Sequence, residues 1–342
     1  MQRRSFKKIL FIGSYLSKQR GSIGPTEQLA SYLSQNNFKV KLASAYSNRI
    51  FRLIDTVIKL LFYTGEVIYI DVYSGNAFRI AELSAFMGKL RNMKLVFMLH
   101  GGALHNFIRN NPNRVKKVFE NQTNIYSPSQ HIINAFKNYN IKVKYQPNGI
   151  DLSKFPLKTT HNHSPLKLLW VRAFDSIYNP DVAVKILHKI TKEFPEATLT
   201  MVGPDRGMLN QTKALANTLE LNDKVNFVGP IDNKLLYRYY QNHSILINTT
   251  SFESFGVSLI EAASCGIPIV SNNVGEISLI WKNDVNIKLV EENNIDQFVN
   301  YIKQLNQNDR IRTEQIHHAH KNTLFFSNQI TNTFWYNLLN QL

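Results

Sequence analysis

At 342 residues, 44% of them hydrophobic and with a formal charge of +16 and a pI near 9.7, the chain is long for one domain, comfortable for two, and strongly basic. Its Lys and Arg are scattered, with no RNA-binding motif, zinc-finger spacing or basic tail, which argues against a nucleic-acid partner and leaves an anionic membrane surface or a generally basic background as readings of the charge. The one cysteine, Cys265, excludes an internal disulfide, and no apolar run is long enough to span a bilayer.

The N-terminus, Met1 to Lys8 followed by Ile9–Ile12, imitates a signal peptide. Its apolar core is short and no small-residue cleavage site follows, so Lys7–Gly13 reads as the first buried strand of a cytoplasmic protein. The next loop carries Gly21 and Gly24, and the segment from Glu27 to Leu33 has helical spacing. A glycine loop between a strand and a helix offers bare backbone to a phosphate, or is a simple turn. No G-x-G-x-x-G is present, which counts against a dinucleotide cofactor. Phe38–Ala43 reads as the second strand.

Arg49–Phe62 is a very apolar helix bearing Arg49, Arg52 and Lys59. Two readings stand: a helix packed on the sheet, or a basic, apolar surface that meets a lipid-linked acceptor at the inner face of a membrane. Val67–Val72 and Lys94–Leu99 are further strands. His100 follows the latter directly, beside Gly101 and Gly102, where a side chain can touch a substrate; His105 is a weaker alternative. Asn148-Gly149 forms a turn. Leu152–Pro165 reads as a linker, and its His161 and His163 lack the company a metal site needs.

Lys167–Val171 opens the second half, and Arg172 stands at its end, placed to hold a diphosphate bidentately or to pair with Asp175 or Asp181. Thr198–Gly203 and Val225–Val228 are strands; Gly229 ends the second. A helix over Leu235–Tyr240 leads into Ile245–Asn248, a short buried-strand run closed by Thr249, Thr250 and Ser251. Val257–Ala263 is helical, stopped by Gly266 and Pro268, and Ile267–Val270 is the next strand. This βαβ unit exposes the loop Ser251–Gly256 at the carboxyl end of its first strand, where open α/β sheets bind ligands. Glu253 is a solvated loop acid or an acceptor for sugar hydroxyls. Phe255-Gly256-Val257 opens the helix, so free N–H groups and the positive dipole end share that place. Glu261, in an apolar segment, is a costly charge that caps, pairs or accepts from vicinal hydroxyls. Cys265 reads as a small buried residue. Ile287–Val290, a helix from Ile295 and an aromatic amphipathic helix over Phe325–Leu342 complete the chain.

The strings Phe252-Glu253-Ser254-Phe255-Gly256, Leu259-Ile260-Glu261-Ala262, Gly266-Ile267-Pro268-Ile269-Val270 and Asn273-Val274-Gly275-Glu276-Ile277 resemble the Glu-x7-Glu signature of the retaining family-4 glycosyltransferases. Ser129-Gln130-His131-Ile132 and Pro147-Asn148-Gly149-Ile150-Asp151 resemble a second region of that family. The resemblance implies the GT-B fold: α/β, two Rossmann-like domains facing across a cleft, with a C-terminal helix crossing back to the first domain. Residues 1–155 would form the acceptor-binding domain, 166–324 the nucleotide-sugar-binding domain, and 325–342 the returning helix.

By the same resemblance Glu253 contacts the donor sugar, Glu261 the ribose and His100 the reacting face. Gly21 or Gly24 is the loop glycine at the diphosphate, and Val228 and Gly229 meet the base. Ser254, Phe255, Gly256 and Val257 supply contacts to phosphate and sugar. Arg172 neutralises the leaving diphosphate as the arginine of an Arg-x5-Lys motif, but Tyr178 stands where the family has lysine: either another cation substitutes, Arg206 being the candidate, or the donor is bound differently, or the activity is weak. The expected reaction moves a glycosyl unit from a nucleotide-diphosphate sugar to a hydroxyl of a glycan or lipid-linked acceptor, as in cell-surface polysaccharide synthesis. The sequence has no Asp-x-Asp, so no metal and no other cofactor is expected. An epimerase or phosphorylase of the same architecture, and a non-enzymatic basic protein binding membrane or nucleic acid, are the rival readings.

Overall fold

The computed structural model describes residues 6–13, 15, 24–43, 46, 48–101, 103–158, 165–292 and 294–342. The chain divides into two compact units: Met1–Ile150 with Asn328–Leu342, and Asp151–Ser327.

The first unit is built on a parallel sheet of six strands: β1 (Lys7–Ile12), β2 (Phe38–Ala43), β3 (Val67–Val72), β4 (Lys94–Leu99), β5 (Ile125–Ser127) and β6 (Lys144–Tyr145), ordered β2-β1-β3-β4-β5-β6. β3 is buried at every position, because helices cover both faces of a sheet of this kind and its central strands lack a solvent side. On one face Leu10, Ile12, Ile68, Ile70 and Phe97 pack with Phe78 and Phe119. On the other, Ile9, Phe11 and Tyr69 pack with Trp335 and Leu339 of the C-terminal helix.

That helix runs Asn328–Gln341. The single helix expected over Phe325–Leu342 is instead two elements, a 3-10 turn over Leu324–Phe326 and the longer helix, separated by Ser327 in extended conformation (φ −65°, ψ 145°). Serine is favoured where a helix begins, because its short polar side chain can serve the first free amides. Trp335 meets the rings of Tyr69 and Tyr126 edge-on at 5.2 and 5.1 Å. Gly149, expected only to shape a turn, does more: a Cβ there would lie 2.3 Å from Thr331 Oγ1 and 2.4 Å from Asn328 Oδ1. Its lack of a side chain lets the last helix approach.

The Arg49–Phe62 helix buries Thr56 and Leu60 and exposes Ile50, Leu53, Ile54, Ile58 and Leu61. A helix packed on the sheet was one expectation; this one packs through Thr56 and Leu60 and leaves most of its large apolar side chains exposed. Among the described residues no helix is long and apolar enough to cross a membrane.

The second unit repeats the plan with β7 (Lys167–Val171), β8 (Thr198–Val202), β9 (Val225–Gly229), β10 (Ile245–Asn248), β11 (Ile269–Asn272) and β12 (Lys288–Val290), ordered β12-β11-β10-β7-β8-β9 and all parallel. Between β10 and β11 runs the Val257–Cys265 helix. Gly266 ends it in the left-handed region at φ 77°, its amide donating to the Ala262 and Ala263 carbonyls. Glycine adopts that conformation without steric cost, which is why it punctuates the helix here. Cys265 is fully buried, and burial with the nearby Glu261 charge pushes its thiol up to about 12, so it is an inert core residue.

Candidate functional site

In the second unit β7 lies between β8 and β10, so the winding of the chain reverses at the β7–β10 gap. Beyond the carboxyl ends of strands at such a reversal, open parallel sheets bind ligands. Arg172 follows β7, and Thr249–Gly256 follows β10.

The Nε–H of Arg172 donates to Asn248 Oδ1 at 3.3 Å, and its Nη2 donates to Glu253 Oε2. Asn248 is held in turn by donating to Ser271 Oγ at 2.9 Å. The pairing of Arg172 with Asp175 or Asp181 does not occur: Asp175 accepts from the Ile177 amide, and Asp181 pairs with Lys185 four residues on. These acids lie on the turn and helix after Arg172 and are used locally. Tyr178 sets its ring against the guanidinium, 5.5 Å from centroid to Cζ, a cation–π contact. It backs the arginine and adds no charge.

Glu253 accepts on its other oxygen from the amides of Ser254 at 3.1 Å and Phe255 at 3.3 Å. Its carboxylate therefore rests on a guanidinium and two backbone N–H groups, a donor set that suits any small anion. Gly256 follows at φ 74° and begins the Val257–Cys265 helix. The loop is fixed by polar contacts that a chain segment without regular pairing needs. Asn272 donates to the Thr249 and Thr250 carbonyls at 2.9 and 3.0 Å, Trp170 donates to Thr249 Oγ1 at 3.0 Å, and the Ser251 amide donates to the Ile177 carbonyl at 2.8 Å. Gly275, at φ 59°, lies so close that a Cβ on it would fall 2.0 Å from the Glu253 carbonyl oxygen.

Glu261 projects from the helix and is buried. It neither caps nor forms a salt bridge; the Tyr240 hydroxyl donates to its Oε2 at 3.0 Å. Burial pushes its pKa up to about 7, against the Tyr240 hydrogen bond and the Arg172 charge, which pull it down. Burial likewise drives the Tyr240 phenol well above its ordinary value.

Arg206 is exposed in the loop after β8, and its amide donates to the Phe174 carbonyl at 3.0 Å. Gly203, in the same loop, comes so near that a Cβ would lie 1.8 Å from the Arg172 carbonyl oxygen. Val228 and Gly229 end β9, and the Gly229 carbonyl accepts from the Gly203 amide at 3.0 Å. The segments that carry Arg172, Arg206, Gly229 and Glu253 thus follow or end β7, β8, β9 and β10 at the carboxyl ends of these parallel strands.

In the first unit His100 follows β4. Its Nε2 lies 3.0 Å from Asp71 Oδ1, and the Thr26 hydroxyl donates to the same oxygen at 3.0 Å. Tyr73 stacks on the imidazole at 5.4 Å. Gly13, after β1, sits against Asp71, where a Cβ would meet Oδ2 at 2.3 Å. Gly24 precedes the Pro25–Gln35 helix, and its amide donates to Glu27 Oε2 at 3.1 Å. Gly21, Gly102, His161 and His163 lie outside the described residues. Sequence reasoning missed Asp71, Asn248 and Tyr240. Asn248 had a signal: a polar residue closing an otherwise apolar strand run.

Among the described residues no three of His, Cys, Asp and Glu converge as a metal-ligand group.

Residues 153–322 match the family of group 1 glycosyl transferases. The D-inositol 3-phosphate glycosyltransferase of Xylanimonas cellulosilytica is 28% identical over 128 residues, 37% of this chain and 30% of that one. A glycosyltransferase of Haemophilus influenzae is 30% identical over 165 residues, 48% of this chain and 45% of its own length. The chain therefore aligns with less than half of either relative. Among solved structures, sucrose-phosphate synthase from Thermosynechococcus elongatus superposes with a TM-score of 0.76 at 16% identity, covering 98% of each chain. HepE of Anabaena, in complex with UDP and glucose, gives 0.72 at 15% identity over 98% of this chain and 100% of its own. Likeness at that identity speaks for architecture alone: two parallel six-stranded sheets flanked by helices, the GT-B fold.

Proposed function

We propose that this protein is a retaining glycosyltransferase that moves a sugar from a nucleotide-diphosphate donor to a hydroxyl of a glycan or lipid-linked acceptor. The observation that carries the reading is the cluster at the β7–β10 reversal, where Arg172 and the Ser254 and Phe255 amides converge on one carboxylate. In the reaction the acceptor oxygen bonds to the anomeric carbon, the bond from that carbon to the diphosphate breaks, negative charge gathers on the leaving oxygen, and the acceptor hydroxyl gives up its proton to that departing diphosphate. Arg172 and the helix-opening amides are the donors set to take that charge, which is how preorganised dipoles lower a barrier. Glu253, released from them, accepts from sugar hydroxyls, and Glu261 accepts from the ribose. Val228 and Gly229 flank the base. Arg206 is the second cation near the diphosphate in place of a lysine. In the first unit Gly24 and His100 are the residues assigned to substrate contact. We assign no metal or other cofactor to the reaction.

The family match over the second unit and the names of the relatives support the transfer class. HepE binds UDP and glucose, which supports a nucleotide-sugar donor. The test is a thermal-shift screen with UDP-, GDP- and ADP-sugars, in which a ligand at a hundred times its dissociation constant adds about 2.7 kcal/mol. Product analysis with and without an acceptor alcohol follows. Transfer that requires the alcohol and keeps the anomeric configuration supports the reading; turnover of the sugar nucleotide without it favours an epimerase, and no ligand-induced shift with any sugar nucleotide sinks both.

A further inference from the structure

The Arg49–Phe62 helix has its amphipathic stripe on the wrong side for a helix that serves its own domain. Ile50, Leu53, Ile54, Ile58 and Leu61 recur at the three- and four-residue spacing that marks one helical face. In a water-soluble domain that face is turned to the core. Here it is turned out: with Phe51 and Phe62, these side chains are 44–75% exposed. The inward side carries Thr56 and Leu60, both fully buried, with Arg52, Asp55 and Lys59 half-buried along it. The helix is held there by Leu60, which packs in the core cluster with Ile68 and Phe78, and by polar contacts to its neighbours. Lys59 donates to the Leu42 carbonyl at 2.8 Å, and Arg91 donates to the Leu60 carbonyl and, at 2.6 Å, to the Tyr63 carbonyl; within the helix Thr56 donates to the Arg52 carbonyl at 2.9 Å and Lys59 pairs with Asp55 at 2.6 Å. The neighbouring Phe78–Leu90 helix, which packs against it, adds exposed Phe86 and Leu90. An outward patch of large apolar side chains this concentrated marks an interaction surface.

Charge selects its occupant. Lys59 and Arg91 are spent on holding the helix, and the exposed cations beside it are the lysines of the neighbouring strand. Lys39 and Lys41 are exposed on the edge strand β2, and they alternate in phase with Ala43, which packs in the same cluster as Leu60, so they lie on the side the helix covers. A second copy of this chain would bring two such basic surroundings together; a neutral apolar partner would leave them unused. An apolar stripe with exposed lysines beside it suits lipid tails below and lipid phosphates at its border. At 14 residues the helix is too short to span a bilayer and long enough to lie along one.

We propose that the outward face of the Arg49–Phe62 helix, with Phe86, Leu90 and the neighbouring lysines, is a docking surface for an anionic membrane. The first unit would then rest on the lipid with Ile54 and Ile58 immersed at the level of the acyl boundary.

The test is co-sedimentation of the full chain with phosphatidylcholine vesicles, with and without phosphatidylglycerol. Binding is expected to the anionic vesicles, to weaken as salt rises, and to be at least about tenfold weaker on phosphatidylcholine alone. The Ile54→Glu/Ile58→Glu double variant is expected to lose about tenfold or more in partitioning. Its unfolding midpoint should stay unchanged, since both positions already face solvent. Lys39→Gln/Lys41→Gln should weaken only the phosphatidylglycerol-dependent part. Equal binding to both vesicle types, or undiminished binding by the glutamate variant, would overturn the proposal. So would a wild-type dimer that ignores vesicles and dissociates on the glutamate substitutions, which would assign the face to a second copy. Vesicle binding is read without turnover, so its failure and a failure of the transferase reading are separate results.

Discussion

The Tyr240 hydroxyl donates to Glu261 Oε2 at 3.0 Å inside the second unit, and this is the hydrogen bond that a buried carboxylate with no salt-bridge partner retains. It does not offset burial, which sets the Glu261 pKa at about 7 against an ordinary 4.5. A raised folded-state value means that the stability contribution of this group is fully present below about pH 4.5 and is lost as pH rises through about 7. The span corresponds to about 3 kcal/mol. Glu261→Gln removes the titration, so the variant should gain stability relative to the wild type between pH 5 and pH 8 by an amount of that order. Chemical denaturation at the two pH values measures it, and a constant difference between the proteins would contradict the assignment. If Glu261 accepts from ribose hydroxyls in its ionised form, wild-type affinity for UDP should also rise through pH 7, and that rise should vanish in the variant.

The Arg172–Glu253 pair makes a different prediction. The two side chains are 13 and 14% exposed, and Glu253 covers the donors that a diphosphate would use. Removing one preorganised charged contact in a site of this kind costs about 2.7–4 kcal/mol in the barrier. Arg172→Ala and Glu253→Ala should each lose at least about a hundredfold in turnover. Because the two act on each other, the double variant should lose less than the product of the single losses. Their binding signatures should differ: Arg172→Ala weakens UDP, whereas Glu253→Ala frees the guanidinium and amides and leaves UDP binding intact or tighter. Full activity in either single variant would remove the pair from the mechanism.

Much of this architecture is legible in the chain because apolar runs of four to six residues closed by polar or glycine residues become buried parallel strands. Ile245–Asn248 and Lys94–Leu99 lie where that rule puts them. Glu253 and Glu261 stand out by the same logic, as acids in surroundings that do not favour them. What composition hides is pairing across distance. Arg172 and Glu253 are 81 residues apart, and nothing local to Arg172 says that it will bypass Asp175 for a later loop. Asp71 was hidden by its own strand, where five apolar or aromatic neighbours set the reading of the whole run. The Arg49–Phe62 helix shows a third limit: periodicity reveals that a stripe exists, but only the fold decides which way it faces. Its polar anchors, Leu42, Arg91 and Tyr63, lie outside the helix or at its end.

Two glycines separate fold from binding. Gly275 combines a φ of 59° with a backbone so close to Glu253 that a Cβ would lie 2.0 Å from its carbonyl oxygen. Gly275→Ala should cost roughly 3 kcal/mol through strain and displacement, with turnover falling because the Glu253 loop shifts. Gly24 has an ordinary φ of −74°, and nothing lies within 4 Å of where a Cβ on it would stand. Gly24→Ala should leave stability within about 0.5 kcal/mol. If a phosphate approaches the Gly24 backbone, displacing Glu27 from its amide, turnover should nonetheless drop about tenfold or more. Unchanged kinetics in a stable Gly24→Ala protein would exclude that approach.

Asp71 carries the last prediction. One of its oxygens lies 3.0 Å from both His100 Nε2 and the Thr26 hydroxyl, and the other lies over Gly13. The carboxylate therefore fixes which way the imidazole faces and which nitrogen is turned away from it. Asp71→Ala should destabilise the first unit by about 1–3 kcal/mol, because two buried polar partners lose their acceptor. Asp71→Asn keeps the volume and one acceptor but presents an amide that can force the other imidazole tautomer. That variant should fold with a near-normal unfolding midpoint and show a lowered kcat with a shifted pH–rate profile. His100→Ala should abolish the shift, so that Asp71→Asn has no further effect in its background. A pH profile unchanged by Asp71→Asn would make the pair a fastening of β3 to β4 and nothing more.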